Sequence, residues 1–308
     1  MNWKLRALLW FVNHVQPIRE VGIEHVNTAR KASLRASELG KLLFDKKTPV
    51  KDIRNFKIGH IPVRLYRNSS EPDQKVILYF HGGGFVYYNI DSHDYVARRL
   101  CVFNNCTVIS VDYRLAPEHT FPAAHEDAYQ VVNHVYAHAS ELGVDATKIM
   151  VAGDSAGGNL AACCCHHFKN HPEIKLAAQV LIYPWVDGKI DSPSIEQYKQ
   201  GYLLTKEAML WFQKTYSPNP EDQCNPELSP LYQPDMSGLP PAFVLTAEFD
   251  PLKDEGKWYA DKMRDAGNTV WYRDYKQLVH GFLNVPGLSD EGRQAFEDIR
   301  KFIREEVK

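Results

Sequence analysis

Residues 153–157 read Gly-Asp-Ser-Ala-Gly, after an apolar run at 148–152 and before a helix-like run at 159–168. The order is strand, sharp turn, helix. A serine at such a turn adopts a strained backbone conformation, and the flanking chain passes so close that the residues two before and two after it cannot carry side chains. Glycine at 153 and 157 meets that demand. The turn would lift the Ser155 hydroxyl above the strand ends, while the Ala156 N–H would open a helix, where a developing negative charge is stabilised. Ser155 is thereby a candidate nucleophile. Alone the pentapeptide is weak evidence, since chance produces it in roughly one chain in twenty of this length.

A rarer feature lies upstream. The uninterrupted apolar run Val76-Ile77-Leu78-Tyr79-Phe80 has strand length and ends directly in His81-Gly82-Gly83-Gly84-Phe85. Three glycines after a buried strand expose backbone N–H groups to a ligand, so Gly83, Gly84 and Ala156 are candidate donors of an oxyanion hole. His81 reads as a hydrogen-bonding residue that fixes the loop rather than as a base. Further short apolar runs occur at 107–111, 148–152, 177–183, 242–247 and 269–272, with helical patterns between or after most of them, including 121–142. Residues 56–67 alternate apolar and polar positions, as an antiparallel edge pair would. Strands alternating with helices imply right-handed crossovers and a mainly parallel sheet.

The alternation breaks between Trp185 and Gln233, where a helix-like segment at 205–216 carries Met209, Trp211 and Phe212 and is followed by a proline-rich return. An insertion of this size is commonly a lid over the strand C-termini. Together with residues 1–50, which read as helical, it is expected to form a cap (1–50 and 186–233) on a core of residues 51–185 and 234–308. Phe85, Met209, Trp211 and Phe212 are candidate pocket residues, although packing is the default use of such side chains. Asp250 lies just past the buried run 242–247, and His280 follows the next strand through a polar loop. Ser155, Asp250 and His280 thus appear in the order nucleophile, acid, base. In that arrangement the imidazole takes the serine proton and the carboxylate fixes its tautomer.

The 308-residue chain carries a formal net charge of -2 and no basic block in its body, which leaves no electrostatic footprint for nucleic acid. The N-terminal residues Trp3, Leu5, Leu8, Leu9, Trp10, Val12 and Val15 crowd one broad side of a helix. They are too few to span a bilayer, and the run lacks a cleavage site, so a packed amphipathic helix is expected, without signal peptide or stable membrane insertion. The six cysteines, three of them consecutive at 163–165, form no disulfide framework and fit a reducing cytoplasm. Cys163 and His167 share a helix face, but no second ligand pair accompanies them, so no metal site is expected.

With these residues in view, the chain resembles the hormone-sensitive-lipase family of α/β-hydrolases, in the branch of small microbial carboxylesterases with a GDSAG elbow. The resemblance covers the chain from Val76 onward: HGGGF at 81–85, DYRLAPE at 112–118, GDSAGGN at 153–159, YPW at 183–185, DPL at 250–252 and HGF at 280–282. It implies an α/β-hydrolase fold with a helical cap, a Ser155-Asp250-His280 triad and an oxyanion hole of Gly83, Gly84 and Ala156. It also implies no metal or organic cofactor and hydrolysis of short- to medium-chain carboxylic esters. Amidase, lactonase and deacetylase activities share the same acylation step and stay open, as does homo-oligomerisation. The family's non-catalytic hormone receptors lose the histidine; here His280 is present.

Overall fold

Alternating burial builds the sheet first. The computed structural model describes residues 1, 3–15, 23–44 and 46–308. Helices α1 (Trp3–Val15) and α2 (Val26–Phe44) precede the hairpin β1 (Asp52–Ile58) and β2 (Ile61–Arg67). Then come β3 (Gln74–Phe80), α3 (Asp94–Asn104), β4 (Thr107–Val111), α4 (Ala123–Ala137), α5 (Ala139–Leu142), β5 (Val144–Asp154) and α6 (Ala156–Phe168). After β6 (Ala178–Ile182), the segment holding α7 (Pro193–Gln197) and α8 (Lys206–Tyr216) leads to β7 (Ala242–Phe249), α9 (Lys253–Asp265), β8 (Val270–Val279) and α10 (Asp290–Glu306).

The eight strands form one sheet in the order β1-β2-β4-β3-β5-β6-β7-β8. β1 and β2 pair antiparallel, as the alternating pattern predicts, β2 joins β4 antiparallel, and every later pairing is parallel. Successive strand residues point to opposite faces, so each central strand feeds two cores. Val76, Leu78 and Phe80 join Val151, Leu181 and Val244 in a cluster shared with α4, α6 and α9. Ile77, Tyr79, Met150, Val180 and Leu245 join the other, which α10 covers with Phe296, Ile299, Phe302 and Ile303. These last positions recur three and four residues apart, the spacing of one helix face. Fully burying each such side chain is worth about 1.5–3 kcal/mol, which is why the continuous apolar runs become central strands. Side-chain caps set several helix starts: Thr205 accepts the Ala208 N–H on α8, and Ser289 accepts the Gly292 N–H on α10.

Three expectations change. The helical stretch at 121–142 is two helices, separated by His138. The polar loop expected before His280 is the second half of β8, a ten-residue edge strand that ends at Val279, so His280 leaves the sheet directly. On α1, Leu5 and Leu9 are buried against Val279 and Leu288, with Tyr202 and Leu203 packed beside them, whereas Trp3 and Trp10 are 75% and 63% exposed. The apolar residues of α1 therefore do not share one packed side. The side chains of Leu8, Val12 and Val15 lie outside the described residues.

Candidate active site

Ser155 sits between β5 and α6 with φ 56° and ψ −119°, a left-handed conformation that costs a non-glycine residue free energy. The surroundings hold it there. Its N–H donates to the Ile182 carbonyl (2.9 Å), and its own carbonyl accepts from Trp185 N (3.1 Å) and Asn159 N (3.1 Å). A Cβ on Gly153 would lie 2.2 Å from the Gly157 carbonyl oxygen, and one on Gly157 would lie 2.0 Å from that of Phe80. Both glycines are therefore obligatory for the turn.

The three sequence candidates converge. His280 Nε2 lies 3.0 Å from Ser155 Oγ, and His280 Nδ1 lies 2.8 Å from Asp250 Oδ2. Asp250 is fully buried at the end of β7, and its other carboxylate oxygen accepts the Leu252 N–H at 2.9 Å. A carboxylate can only accept, so the imidazole proton belongs on Nδ1 and the Nε2 lone pair faces the serine hydroxyl. Ser155 is 8% exposed and the His280 side chain 13%. The serine hydroxyl thus has a proton acceptor in a nearly dry setting, as nucleophilic attack on a carbonyl requires.

The glycine loop lies alongside. Gly83 (φ 120°) and Gly84 (φ 62°) adopt conformations that favour glycine, and the Gly83 carbonyl accepts from Val86 N and Tyr87 N. Among the described residues the N–H groups of Gly83, Gly84 and Ala156 meet no acceptor. A Cβ on Gly84 would lie 2.3 Å from Phe212 Cγ, so the Phe212 ring of α8 rests on this glycine. Of the other pocket candidates, Trp211 stacks on Tyr87 (5.6 Å) and Phe85 on Tyr216 (4.1 Å). Met209 is packed in the main core. Phe85, Asn159, Trp185 and Tyr216 line a small enclosed cavity beneath the loop.

Sequence reasoning missed the polar scaffold around these residues. Asp154, beside the serine, accepts Tyr79 OH (2.6 Å) and Gly82 N–H (2.9 Å) on one oxygen, and the other lies 3.4 Å from His93 Nε2. Burial works to raise its pKa, but the His93 charge and the His93 and Tyr79 hydrogen bonds outweigh it and hold the group at about 2. One carboxylate thus ties the elbow to the glycine loop. His81 Nδ1 lies 2.8 Å from the Gly82 carbonyl, the loop-fixing role expected of it, and burial lowers its pKa to about 3. Arg30 of α2 reaches the same loop, donating to the Val86 and Ala116 carbonyls and pairing with Glu118. Glu255 of α9 accepts the Val186 and Asp187 N–H groups and so holds the segment that carries Trp185. Apart from His81, only Asp154 had a signal in the sequence, its place inside the pentapeptide. Cys163 and His167 do not converge on a common ligand: the thiol donates to the Glu227 carbonyl, and the imidazole stacks on Tyr129.

A family model described as the alpha/beta hydrolase fold matches residues 77–284, which hold both glycine motifs, Asp250 and His280. The chain belongs to this family of α/β-hydrolases. Among curated relatives, the hydrolase is 41% identical to the carboxylic ester hydrolase LipN of Mycobacterium tuberculosis over 74% of its own length and 62% of that protein's. It is 34% identical to the ethyl acetate hydrolase of Pseudomonas putida over 94% of each chain. Among solved structures, the hyperthermophilic esterase of Pyrobaculum calidifontis superposes with a TM-score of 0.94 at 38% identity, covering 99% of the hydrolase and 98% of that esterase.

Proposed function

We infer that this carboxylic ester hydrolase cleaves short- to medium-chain esters through a serine acyl-enzyme. The observation that carries the mechanism is the unbroken chain from Ser155 Oγ to His280 Nε2 (3.0 Å) and from His280 Nδ1 to Asp250 (2.8 Å). Ser155 Oγ attacks the ester carbonyl while His280 accepts its proton, and Asp250 stabilises the imidazolium that results. The negative charge gathering on the carbonyl oxygen is met by the N–H groups of Gly83, Gly84 and Ala156, which need no reorganisation at that moment. His280 returns the proton to the departing alcohol, the acyl group stays on Ser155, and water activated by the same imidazole releases the acid. No step calls for a metal or organic cofactor.

The acyl-length preference is read from the cap. On this reading helices α1 and α2 and the segment 186–233 form the cap, supported by Leu5 and Leu9 packed against Val279 at the end of β8 and by Phe212 resting on Gly84. On the same reading Phe85, Trp211 and Phe212, beside the glycine loop, limit the length of chain that fits, whereas Met209 packs in the core behind them. That one relative is an ethyl acetate hydrolase supports a short acyl group. The free thiols of all six cysteines support a cytoplasmic location.

The test is turnover of p-nitrophenyl esters of increasing acyl length, with one anilide and one lactone alongside, for the wild type and Ser155→Ala. Short esters are expected to turn over fastest and Ser155→Ala to be inactive but folded, with a serine-directed phosphonate labelling only the wild type. A folded Ser155→Ala enzyme with near-wild-type kcat would overturn the mechanism. Faster turnover of the anilide or lactone than of every ester would overturn the substrate class.

A further inference from the structure

The residue that follows β6 is held in a costly conformation beside the triad. Tyr183 has φ 35°, in the left-handed region that a non-glycine residue occupies only where its surroundings over-determine it, and its N–H donates to the Leu245 carbonyl of β7 (2.6 Å). Its neighbours in sequence grip the nucleophile: the Ile182 carbonyl accepts the Ser155 N–H, and Trp185 N donates to the Ser155 carbonyl. The fully buried Tyr183 ring stands against the base, its centroid 4.7 Å from that of His280 with the two planes 58° apart. Phe282, two residues beyond His280, closes on the same ring at 5.1 Å. The hydroxyl does not account for this placement. It comes close to Asp154 and to the Leu283 backbone but bonds neither, and a buried hydroxyl without a partner is a cost. Burial, with Asp154 beside it, pushes its pKa well up, so the phenol stays neutral. What the site uses is the ring.

We propose that Tyr183 is a positioning residue for the reaction, its ring fixing His280 on the line from Ser155 to Asp250 and stabilising the imidazolium that forms when the serine proton is taken up. A cation within about 6 Å of an aromatic centroid is attracted by the ring quadrupole, most strongly where water is excluded. The His280 ring lies inside that distance. Of the groups that face it, Asp250 after β7 supplies the opposite charge and Ser155 after β5 the proton. Leu5, Leu203 and Val285, which line a cavity with it, are apolar, and from the end of β6 it meets the Tyr183 ring, with the Asp154 carboxylate near that residue's hydroxyl. The interaction acts twice. It lowers the barrier to proton transfer, and it moves the acid limb of kcat/KM to higher pH. Losing it therefore lowers the plateau of kcat/KM and moves the limb toward acid together, one pH unit for each factor of ten. The inference rests on the triad mechanism proposed above.

The experiment is the pH profile of kcat/KM on a short p-nitrophenyl ester for the wild type, Tyr183→Phe, Tyr183→Leu and an enzyme carrying trifluorophenylalanine in place of Tyr183, which keeps the shape of the ring but strips its face of negative charge. Tyr183→Phe keeps the ring and should leave the acid limb in place. Tyr183→Leu and the fluorinated ring should lower kcat/KM on the order of tenfold and move the limb about one pH unit toward acid. A ring that served packing alone would lower kcat in Tyr183→Leu without moving the limb, and the fluorinated ring would behave like Tyr183→Phe; either result overturns the proposal. Titration of each enzyme with a serine-directed phosphonate, with Ser155→Ala as the blank, keeps the two readings apart. A wild type that is not labelled overturns the triad mechanism and this inference with it, whereas labelled enzymes whose limb the fluorinated ring does not move overturn the inference alone.

Discussion

On the proposed mechanism Gly84 stands between two parts that meet on a substrate, the N–H donors of the glycine loop and the aromatic side chains of the proposed cap. Its φ of 62° and the Phe212 ring 2.3 Å from where a Cβ would stand leave two separate obstacles to any side chain. Gly84→Ala is therefore expected to lower kcat about a hundredfold or more, the scale of losing one oxyanion donor, and to lower stability by about 1–3 kcal/mol through overpacking. The two effects can be separated. Gly84→Ala/Phe212→Ala removes the ring but keeps the backbone strain, so it should recover most of the stability lost to the collision and only part of the kcat. Steady-state kinetics with denaturant unfolding of both variants checks this. A Gly84→Ala enzyme with near-wild-type kcat would remove Gly84 from the oxyanion hole.

At the scale of elements, α1 and α2 are held to the core by a few identifiable contacts rather than by a shared sheet. Leu5 and Leu9 cover Val279 and Leu288, Val26 is buried in the main core, and Arg30 donates to the Val86 and Ala116 carbonyls. Deleting residues 1–35 removes all of them, exposes apolar surface beside His280 and frees the carbonyls that Arg30 satisfies. The truncated enzyme should be less stable and should shift its acyl-length profile toward longer chains, while a phosphonate still titrates Ser155. Unchanged stability with an unchanged profile would show that the N-terminal helices are not part of the cap. The same elements show where sequence patterns stop being informative. β3 was legible because a strand buried on both faces has a continuous apolar run. The second half of β8 was not: Arg273, Lys276 and Gln277 are exposed on the edge strand, and together with the largely buried Asp274 they read as a polar loop. On α1 the apolar residues predicted a helix, but the expectation that they crowd one packed side fails, because helical spacing sets Trp3 and Trp10 across the helix from the buried Leu5 and Leu9. Ser155, Asp250 and His280 were legible because each follows a strand in a fixed order. Arg30 and Glu255 were not, because their partners are 56 and 69 residues away and only the tertiary fold brings them together.

Over the whole molecule, buried imidazoles set the response to acid. His125, held between Tyr216 OH (2.9 Å) and Asn159 (3.0 Å), has its pKa lowered by burial to about 4, as does His166, and His81 lies at about 3. An unfolded chain binds a proton at each of these rings below about pH 6.5, whereas the folded chain resists until pH 3–4. In that window the unfolded state holds more protons, so stability falls as pH falls. Asp112 acts with the opposite sign. Burial raises it to about 6, so in the fold it takes up a proton before its unfolded counterpart does, and stability rises as pH drops from about 6 toward its ordinary value of 3.8. Burial also raises Asp187 and Glu255, which act with the same sign as Asp112, while burial lowers His134 and His167, which add to the three imidazoles; the lowered imidazoles outnumber the raised carboxyls, and below pH 3.8 Asp154, held at about 2, adds to the loss. Unfolding free energies from denaturant titrations between pH 7 and 4.5 should therefore decline with acidity. His125→Gln, which keeps an amide able to bond Tyr216, should be less stable at neutral pH but should flatten the decline by up to about 1.4 kcal/mol per pH unit. Asp112→Asn should steepen it. If His125→Gln leaves the slope unchanged, the imidazole is already protonated in the native fold, and burial is not what makes this enzyme acid-labile.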